Sequence, residues 1–146
     1  MFWGKKKQSE TPKQTQILSA YLSTSVPLVI GRCSDPCVCA GVQVFILGMA
    51  DMIRQTEKLD WSQFIAIYSD TLSSYRLLPS TGVEAFVQKV GSSAPYNEDV
   101  AKLMRYGAQS IRMYVGERDA NAPADLISAV VFLEKQASSF RHLTDA

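Results

Sequence analysis

The chain has 146 residues, of which 47% are hydrophobic and 20% are charged. This composition is ordinary for a soluble globular protein and excludes a wholly disordered chain. The formal net charge is only +1, so no overall field predicts nucleic acid or an anionic membrane as a partner. The length fits one domain that buries roughly 70% of its unfolded surface.

The N-terminal residues are polar and basic, and we predict a disordered basic tail over residues 1–10, followed by a single helical domain over residues 11–146. No signal peptide is evident, because polar residues separate the lysines from the first apolar run. The tail also suits weak, salt-sensitive contact with a membrane surface, at about 1 kcal/mol for each lysine. The residues that would make this contact are Phe2, Trp3, Lys5, Lys6 and Lys7.

The first helix is predicted to start at Thr11. Thr11 supplies an N-cap hydroxyl, Pro12 suits the first helical position, and Gln14 completes a capping box. Pro27 must kink or break this helix because it has no N–H to donate. Gly31 is a natural end for the helix.

The next helix is predicted over about residues 37–57 and is apolar on nearly every face. Such a helix must be buried on nearly every side, so other helices or a partner subunit should enclose it. It is shorter than the roughly 20 apolar residues of a bilayer span and carries Gln43 and Asp51, so we expect no stable membrane insertion. Gly41 and Gly48 lie seven residues apart on nearly the same face, which predicts the close approach of another helix.

Four further helices follow from caps and apolar stripes. Asp60 with Gln63 forms a capping box at the start of the first of them. Strand signals are scarce. Residues 26–30 have the composition of a short strand, but Pro27 restricts such a strand to a sheet edge. We therefore predict an all-α fold, a single-domain helical bundle of about five to six helices around the central apolar helix. The remaining helices are bounded by Asp60 and Pro79, Thr81 and Gly91, Asn97 and Gly116, and Ala124 and Leu143.

Cys33, Cys37 and Cys39 lie within seven residues. Three thiols this close suit a soft metal ion or a redox pair. Their spacing differs from that of structural zinc sites, which use two pairs of Cys or Cys and His ligands. Buried, inert cysteines are the competing interpretation. The odd number argues against a secreted disulfide framework and favours the cytoplasm.

Arg105 and Arg112 lie seven residues apart on the fifth helix. They share one helix face and suit a partner that carries phosphate or carboxylate groups. Acidic residues surround them and the chain has no basic excess, so nucleic acid is not expected. A solvated helix face is the alternative interpretation.

We predict no catalytic residue and no cofactor. The chain lacks a phosphate-binding glycine loop, a dinucleotide fingerprint, a metalloprotease helix and a serine nucleophile turn. The only histidine, His142, lies beside Arg141 near the C-terminus, where a cation interacts favourably with a helix dipole. Asp51 and Arg54 are interpreted as a solvated ion pair.

The leading hypothesis is a non-enzymatic, cytoplasmic helical module that acts in protein–protein interaction or regulation, as a homodimer or other homo-oligomer. Two runs, residues 38–53 and 126–133, are apolar on most sides, whereas a monomer this small fully encloses about one such helix. One alternative is a thiol-based redox or metal-binding protein using the three cysteines. The other is a carrier of a small hydrophobic ligand, with its cavity among Tyr21, Phe45, Tyr68 and Met104.

Overall fold

The computed structural model describes the backbone of residues 2–144 and the side chains of residues 16–144. No strand occurs in that part of the chain, and the predicted all-α single-domain bundle is confirmed. Two 3₁₀ helices are present there, η1 (Ile30–Ser34) and η2 (Ala137–Leu143). The α-helices are α1 (Phe2–Val29), α2 (Pro36–Glu57), α3 (Trp61–Ser74), α4 (Val83–Ser93), α5 (Glu98–Gly116) and α6 (Ala124–Lys135).

Helix α2 is the centre of the bundle, and its predicted enclosure is confirmed. It contacts α1, α3, α5, α6 and both 3₁₀ helices. Local chemistry fixes its start, because the Asp35 carboxylate accepts a hydrogen bond of 2.9 Å from the Cys37 N–H and Pro36 is the first helical residue. Apolar side chains are fully buried on all of its faces, among them Val42, Val44, Phe45, Ile46 and Met49.

The length of α2 corrects one prediction. The helix has 22 residues and, within the described part of the chain, is the one helix long and apolar enough to cross a bilayer. The argument that it is too short is therefore wrong. Its most apolar window is nevertheless 72% buried by the rest of the protein, as in the core helix of a globular protein.

The predicted close approach of helices at the α2 glycines is confirmed. A Cβ atom added at Gly48 would overlap the backbone carbonyl of Met104 on α5. The arrangement is reciprocal, because a Cβ atom at Gly107 of α5 would overlap the backbone carbonyl of Phe45. Gly41 faces a different neighbour, the Leu133 side chain of α6. Helices α2 and α5 are thus in backbone contact at what we call the glycine seam, Gly48 and Gly107.

Gln43 and Asp51, the polar residues within the apolar run of α2, are both hydrogen-bonded. The buried Gln43 donates from Nε2 to the Leu77 carbonyl at 2.6 Å, and its own backbone carbonyl accepts from the Tyr68 hydroxyl at 2.7 Å. Asp51 lies nearer the surface and pairs with Arg54, with 2.7 Å between Oδ1 and Nε. The predicted ion pair is therefore confirmed, and neither polar group is left unsatisfied in the core.

Two of the predicted helix starts are confirmed by their caps. Asp60 and Gln63 form the reciprocal capping box at the start of α3, with bonds of 2.8 and 3.0 Å. The Asn97 side chain accepts from the Val100 N–H at the start of α5, which ends at Gly116 as predicted. Short-range side-chain chemistry thus fixes these boundaries.

Several helix ends differ from the prediction. Helix α3 ends at Ser74, before Pro79, because Arg76 adopts a left-handed conformation and the Leu77 N–H bonds back to the Leu72 carbonyl. Helix α4 passes through Gly91 and ends at Ser93. The last predicted helix is two elements, since α6 ends at Lys135 and η2 follows after Gln136.

The N-terminal boundary also differs from the prediction. Helix α1 is Phe2–Val29, so its start precedes the predicted one at Thr11. It ends within one turn of Pro27 and passes into η1, which agrees with the expected break. The side chains of residues 1–15 lie outside the described part of the chain. The disordered basic tail over residues 1–10 stays a prediction.

Candidate functional site

Arg105 and Arg112 lie on one exposed face of α5, as their spacing predicts. Both line a surface depression of about 340 Å³, together with Met52 of α2, Gln109 and Glu117. Among the described residues, neither arginine forms an ion pair. The structure therefore brings the two guanidinium groups together at one concave surface.

This depression continues in both directions along α5. Arg105 and Gln109 also line a neighbouring depression of about 370 Å³, which Phe132 of α6 closes. Met52 and Arg112 also line a third depression, of about 330 Å³, which reaches Ile17 of α1. We call the three together the α5 groove.

The α5 groove has an apolar floor and a partly basic rim. Lys102 lies over the Phe132 ring, with 5.3 Å between Nζ and the ring centroid, so this cation is held at one end of the groove. Four acidic residues flank the arginines in sequence: Glu98, Asp99, Glu117 and Asp119. Of these, only Glu117 lines the groove. Glu57 lies at the opposite end. The groove thus combines apolar surface with two arginines near its middle.

A second surface involves α6 and the end of α1. The Tyr21 hydroxyl bonds to the Ala122 carbonyl at 3.0 Å, and Arg32 pairs with Glu134 at 2.6 Å. These two contacts show that the second half of α1, with η1, runs beside α6 in the same direction. Exposed apolar side chains lie on both elements along this length. We call them the α1/α6 surface: Leu28, Ile30, Ile127 and Val131.

The three cysteines are half-buried free thiols at the junction of η1 and α2. Interaction with Cys33 lowers the pKa of the Cys39 thiol below its usual value, while interaction with Cys39, together with burial, raises the pKa of the Cys33 thiol. Within the described residues, no three His, Cys, Asp or Glu side chains are placed to hold a metal ion. The redox or metal-binding role of Cys33, Cys37 and Cys39 stays a prediction.

A buried polar network joins α1, α5 and α6. The sequence pattern does not predict this network. The Tyr21 hydroxyl oxygen lies 2.5 Å from Ser110 Oγ, and Ser110 donates to the Asp125 carboxylate at 2.7 Å. Tyr106 donates to the other oxygen of Asp125 at 3.3 Å. Burial raises the pKa of Tyr21 above its ordinary value. Only the small, polar Ser110 within an apolar stripe signals this network in the sequence.

The residues proposed to line a ligand cavity have other contacts. Phe45 packs edge-on against Tyr106, and Tyr21 packs edge-on against Tyr114. Tyr68 is fully buried and bonded to the Gln43 carbonyl. Met104 lies against Gly48 in the glycine seam. Within the described residues, no observation favours the carrier hypothesis.

His142 lies on η2 at an exposed position and lines a shallow depression with Lys89 and residues of α4. Within the described residues, it belongs to no group of three His, Cys, Asp or Glu side chains placed to hold a metal ion. No known protein family, curated protein or solved structure matches this chain. The function must therefore be argued from the surfaces themselves.

Proposed function

We propose that this protein is a non-enzymatic helical interaction module that forms a homodimer through the α1/α6 surface. The observation that carries the proposal is the exposure of Ile127 and Val131, one turn apart on α6, together with that of Leu28 and Ile30 on the neighbouring α1 and η1. Apolar side chains that cluster at a surface favour contact with another protein. Two copies of one surface related by a two-fold axis make the commonest kind of homodimer.

Polar groups at the edge of this surface suit a dimer contact. The Arg32–Glu134 ion pair borders it, and both side chains keep about half of their exposure. An apolar centre with a polar, solvent-accessible rim is the usual composition of a protein interface.

The test is the oligomeric state of matched valine variants. Val131 on α6 and Val115 on α5 are 48% and 50% exposed, so Val131→Asp and Val115→Asp place the same charge at equally exposed helical positions. Light scattering at micromolar concentration should give a dimer for the wild type and for Val115→Asp, and a monomer for Val131→Asp. A wild-type monomer across the concentration series would contradict the proposal, as would a dimer that Val131→Asp leaves intact.

The α5 groove is the partner-binding part of the same proposal. Arg105 and Arg112 are two helical turns apart, about 10 Å along the axis, and their guanidinium groups suit carboxylates on a docked helix. A helical peptide with a leucine stripe and glutamates seven residues apart is the probe. It should bind the wild type more tightly than Arg105→Glu/Arg112→Glu, and a lysine version of the peptide should show the reverse order. Equal binding of both peptides to both proteins would reject this role.

We propose the cytoplasm as the location, which the three free thiols support. Weak membrane-surface contact by Phe2, Trp3, Lys5, Lys6 and Lys7 is a further part of the proposal, and these side chains lie outside the described part of the chain. Co-sedimentation with vesicles of anionic and of neutral lipid tests it. Binding should require anionic lipid and fall as salt increases.

A further inference from the structure

The charged side chains of the α5 groove are segregated along its length. Lys102 and Arg105 line the end beside α6, toward the start of α5. Glu117 and Glu57 line the groove toward the other end, where α5 and α2 finish. Arg112 lies between these two ends. A partner in the groove therefore meets positive charge at one end and carboxylates at the other.

The distance between the charged ends corresponds to a short helix. At a rise of ~1.5 Å per residue, Lys102 and Gly116 are about 21 Å apart along the α5 axis. A partner helix of about four turns therefore spans the groove and ends close to these charges. The apolar floor between the ends, which includes Leu103, Ile111 and Val115 of α5, suits the apolar stripe of such a helix.

The two ends of a helix carry opposite partial charges, so the groove favours one direction of the partner. The unpaired N–H groups at a helix N-terminus are partly positive, and the unpaired carbonyls at its C-terminus are partly negative. The partner's C-terminal carbonyls are stabilised beside Lys102, and its N-terminal N–H groups are stabilised beside Glu117. The reverse direction places like charges together at both ends.

The dipole of α5 acts in the same sense. The start of α5 lies toward Lys102, and its last residue, Gly116, precedes Glu117. Antiparallel neighbouring helices place opposite dipole ends side by side. The Lys102 side chain is also held in place, because its Nζ lies 5.3 Å from the centroid of the Phe132 ring. The cation that receives the partner's C-terminus is therefore already positioned.

We infer that the α5 groove binds an amphipathic helix of about four turns that lies antiparallel to α5. The partner's C-terminus lies at Lys102, and its N-terminus lies at Glu117. Acidic residues of the partner, seven residues apart, contact Arg105 and Arg112. The inference rests on the proposed partner-binding function of the groove, to which it adds the length and the direction of the partner.

A peptide with a symmetric sequence tests the direction. Its leucine stripe and its two glutamates, seven residues apart, read the same from either end, and its termini are blocked, so only the helix dipole selects a direction. A nitroxide at its N-terminus should broaden the amide NMR signals around Gly116 more than those around Lys102. A nitroxide at its C-terminus should do the opposite. The antiparallel direction should be preferred at least about fivefold.

The charge-swapped variant Lys102→Glu/Glu117→Lys is the matched control, because it reverses both end charges and keeps the net charge. It should diminish or reverse the difference in broadening, and circular dichroism checks that it is folded. Equal broadening at both ends of the wild-type groove, or a difference that the swap leaves unchanged, would overturn the inference while the groove keeps its peptide-binding role. If neither protein binds the peptide, both that role and the inference are rejected.

Discussion

Helices α2 and α6 are both rich in apolar residues, but their surroundings differ. Helix α2 lies between α1, α3, α5, α6 and both 3₁₀ helices, and its side chains are buried on every face. Helix α6 packs against α1, α2 and α5 and leaves Ile127 and Val131 at the surface. The same composition thus stabilises the fold in one helix and leaves apolar side chains exposed in the other.

The difference is one of neighbours and not of hydrophobicity. A helix has room for several others around it only if it lies at the centre of a bundle, and a small domain has one such position. Helix α6 buries Leu126, Val130 and Leu133 on the side that faces α1, α2 and α5. The apolar residues on its other side must meet water or another molecule.

Replacing one isoleucine in each helix tests this comparison most strongly. Ile46 of α2 is fully buried, whereas Ile127 of α6 is 37% exposed. We expect Ile46→Ala to lower the free energy of unfolding by about 2–5 kcal/mol, because it removes buried methyl groups and leaves a cavity. Ile127→Ala should cost less than about 1 kcal/mol at protein concentrations that keep the chain monomeric. Urea denaturation measures both values.

Protein concentration separates the contribution of Ile127 to the stability of the monomer from its contribution to a dimer. If the α1/α6 surface forms a dimer, the cost of Ile127→Ala should grow with protein concentration, while that of Ile46→Ala should not. Equal costs for the two substitutions at every concentration would show that α6 is as enclosed as α2.

The glycine seam gives the second prediction. We expect Gly48→Ala to destabilise the protein by about 1–3 kcal/mol, since its Cβ would overlap the Met104 carbonyl and a backbone atom cannot move aside cheaply. Gly91→Ala is the control, because that glycine lies within α4 and has open space around it. It should stabilise the protein by about 0.5–1 kcal/mol. Thermal unfolding distinguishes the two signs.

The third prediction concerns alkaline pH. Burial raises the pKa values of Tyr21 and Tyr68, while an unfolded tyrosine ionises near pH 10. Above about pH 10, both tyrosines therefore keep their protons in the folded state, whereas the same residues lose them in the unfolded state. Stability should therefore be unaffected by these groups below about pH 10 and fall above it, by about 1.4 kcal/mol per pH unit for each tyrosine.

Single tyrosine variants assign this alkaline loss. Tyr21→Phe should lessen the fall in stability between pH 10 and pH 11, although it also removes the bond to the Ala122 carbonyl and so lowers stability at neutral pH. Tyr96 is 92% exposed, and Tyr96→Phe should leave the pH profile unchanged. Urea denaturation across the pH series is the measurement. An unaltered slope in Tyr21→Phe would refute the role given to burial.

The smallest expected effect is that of the Arg32–Glu134 ion pair at the edge of the α1/α6 surface. Both side chains are largely exposed, so a double-mutant cycle with alanine at each position should give a coupling energy of about 0.2–1 kcal/mol. Higher salt should reduce it further. A coupling well above this range in the monomer would mean that the edge is more enclosed than α6 as a whole.

The features that local chemistry determines were predictable from the sequence. The caps at Asp35, Asp60 and Asn97 satisfy backbone N–H groups within three residues, so each shows as a short pattern. The end of α3 was harder to predict, because Arg76 adopts a left-handed conformation that usually signals glycine.

The candidate sites were predictable only in part. The spacing of Arg105 and Arg112 places them on one face, but the groove between them needs Met52 of α2 and Phe132 of α6. The three cysteines were evident from the sequence, whereas the opposite pKa shifts of the Cys33 and Cys39 thiols were not. The Tyr21–Ser110 contact joins residues far apart in the chain, and no local pattern reveals it.

Direct backbone contact at Gly48 and Gly107 also affects how the molecule opens. Two helices that touch along their main chains leave no space for water between them, and neither can rotate or slide without lifting away from the other. The amide protons of α2 and α5 beside this contact should therefore exchange with deuterium only when the whole domain unfolds. Those of η1, which has no buried residue, should exchange through much smaller local openings.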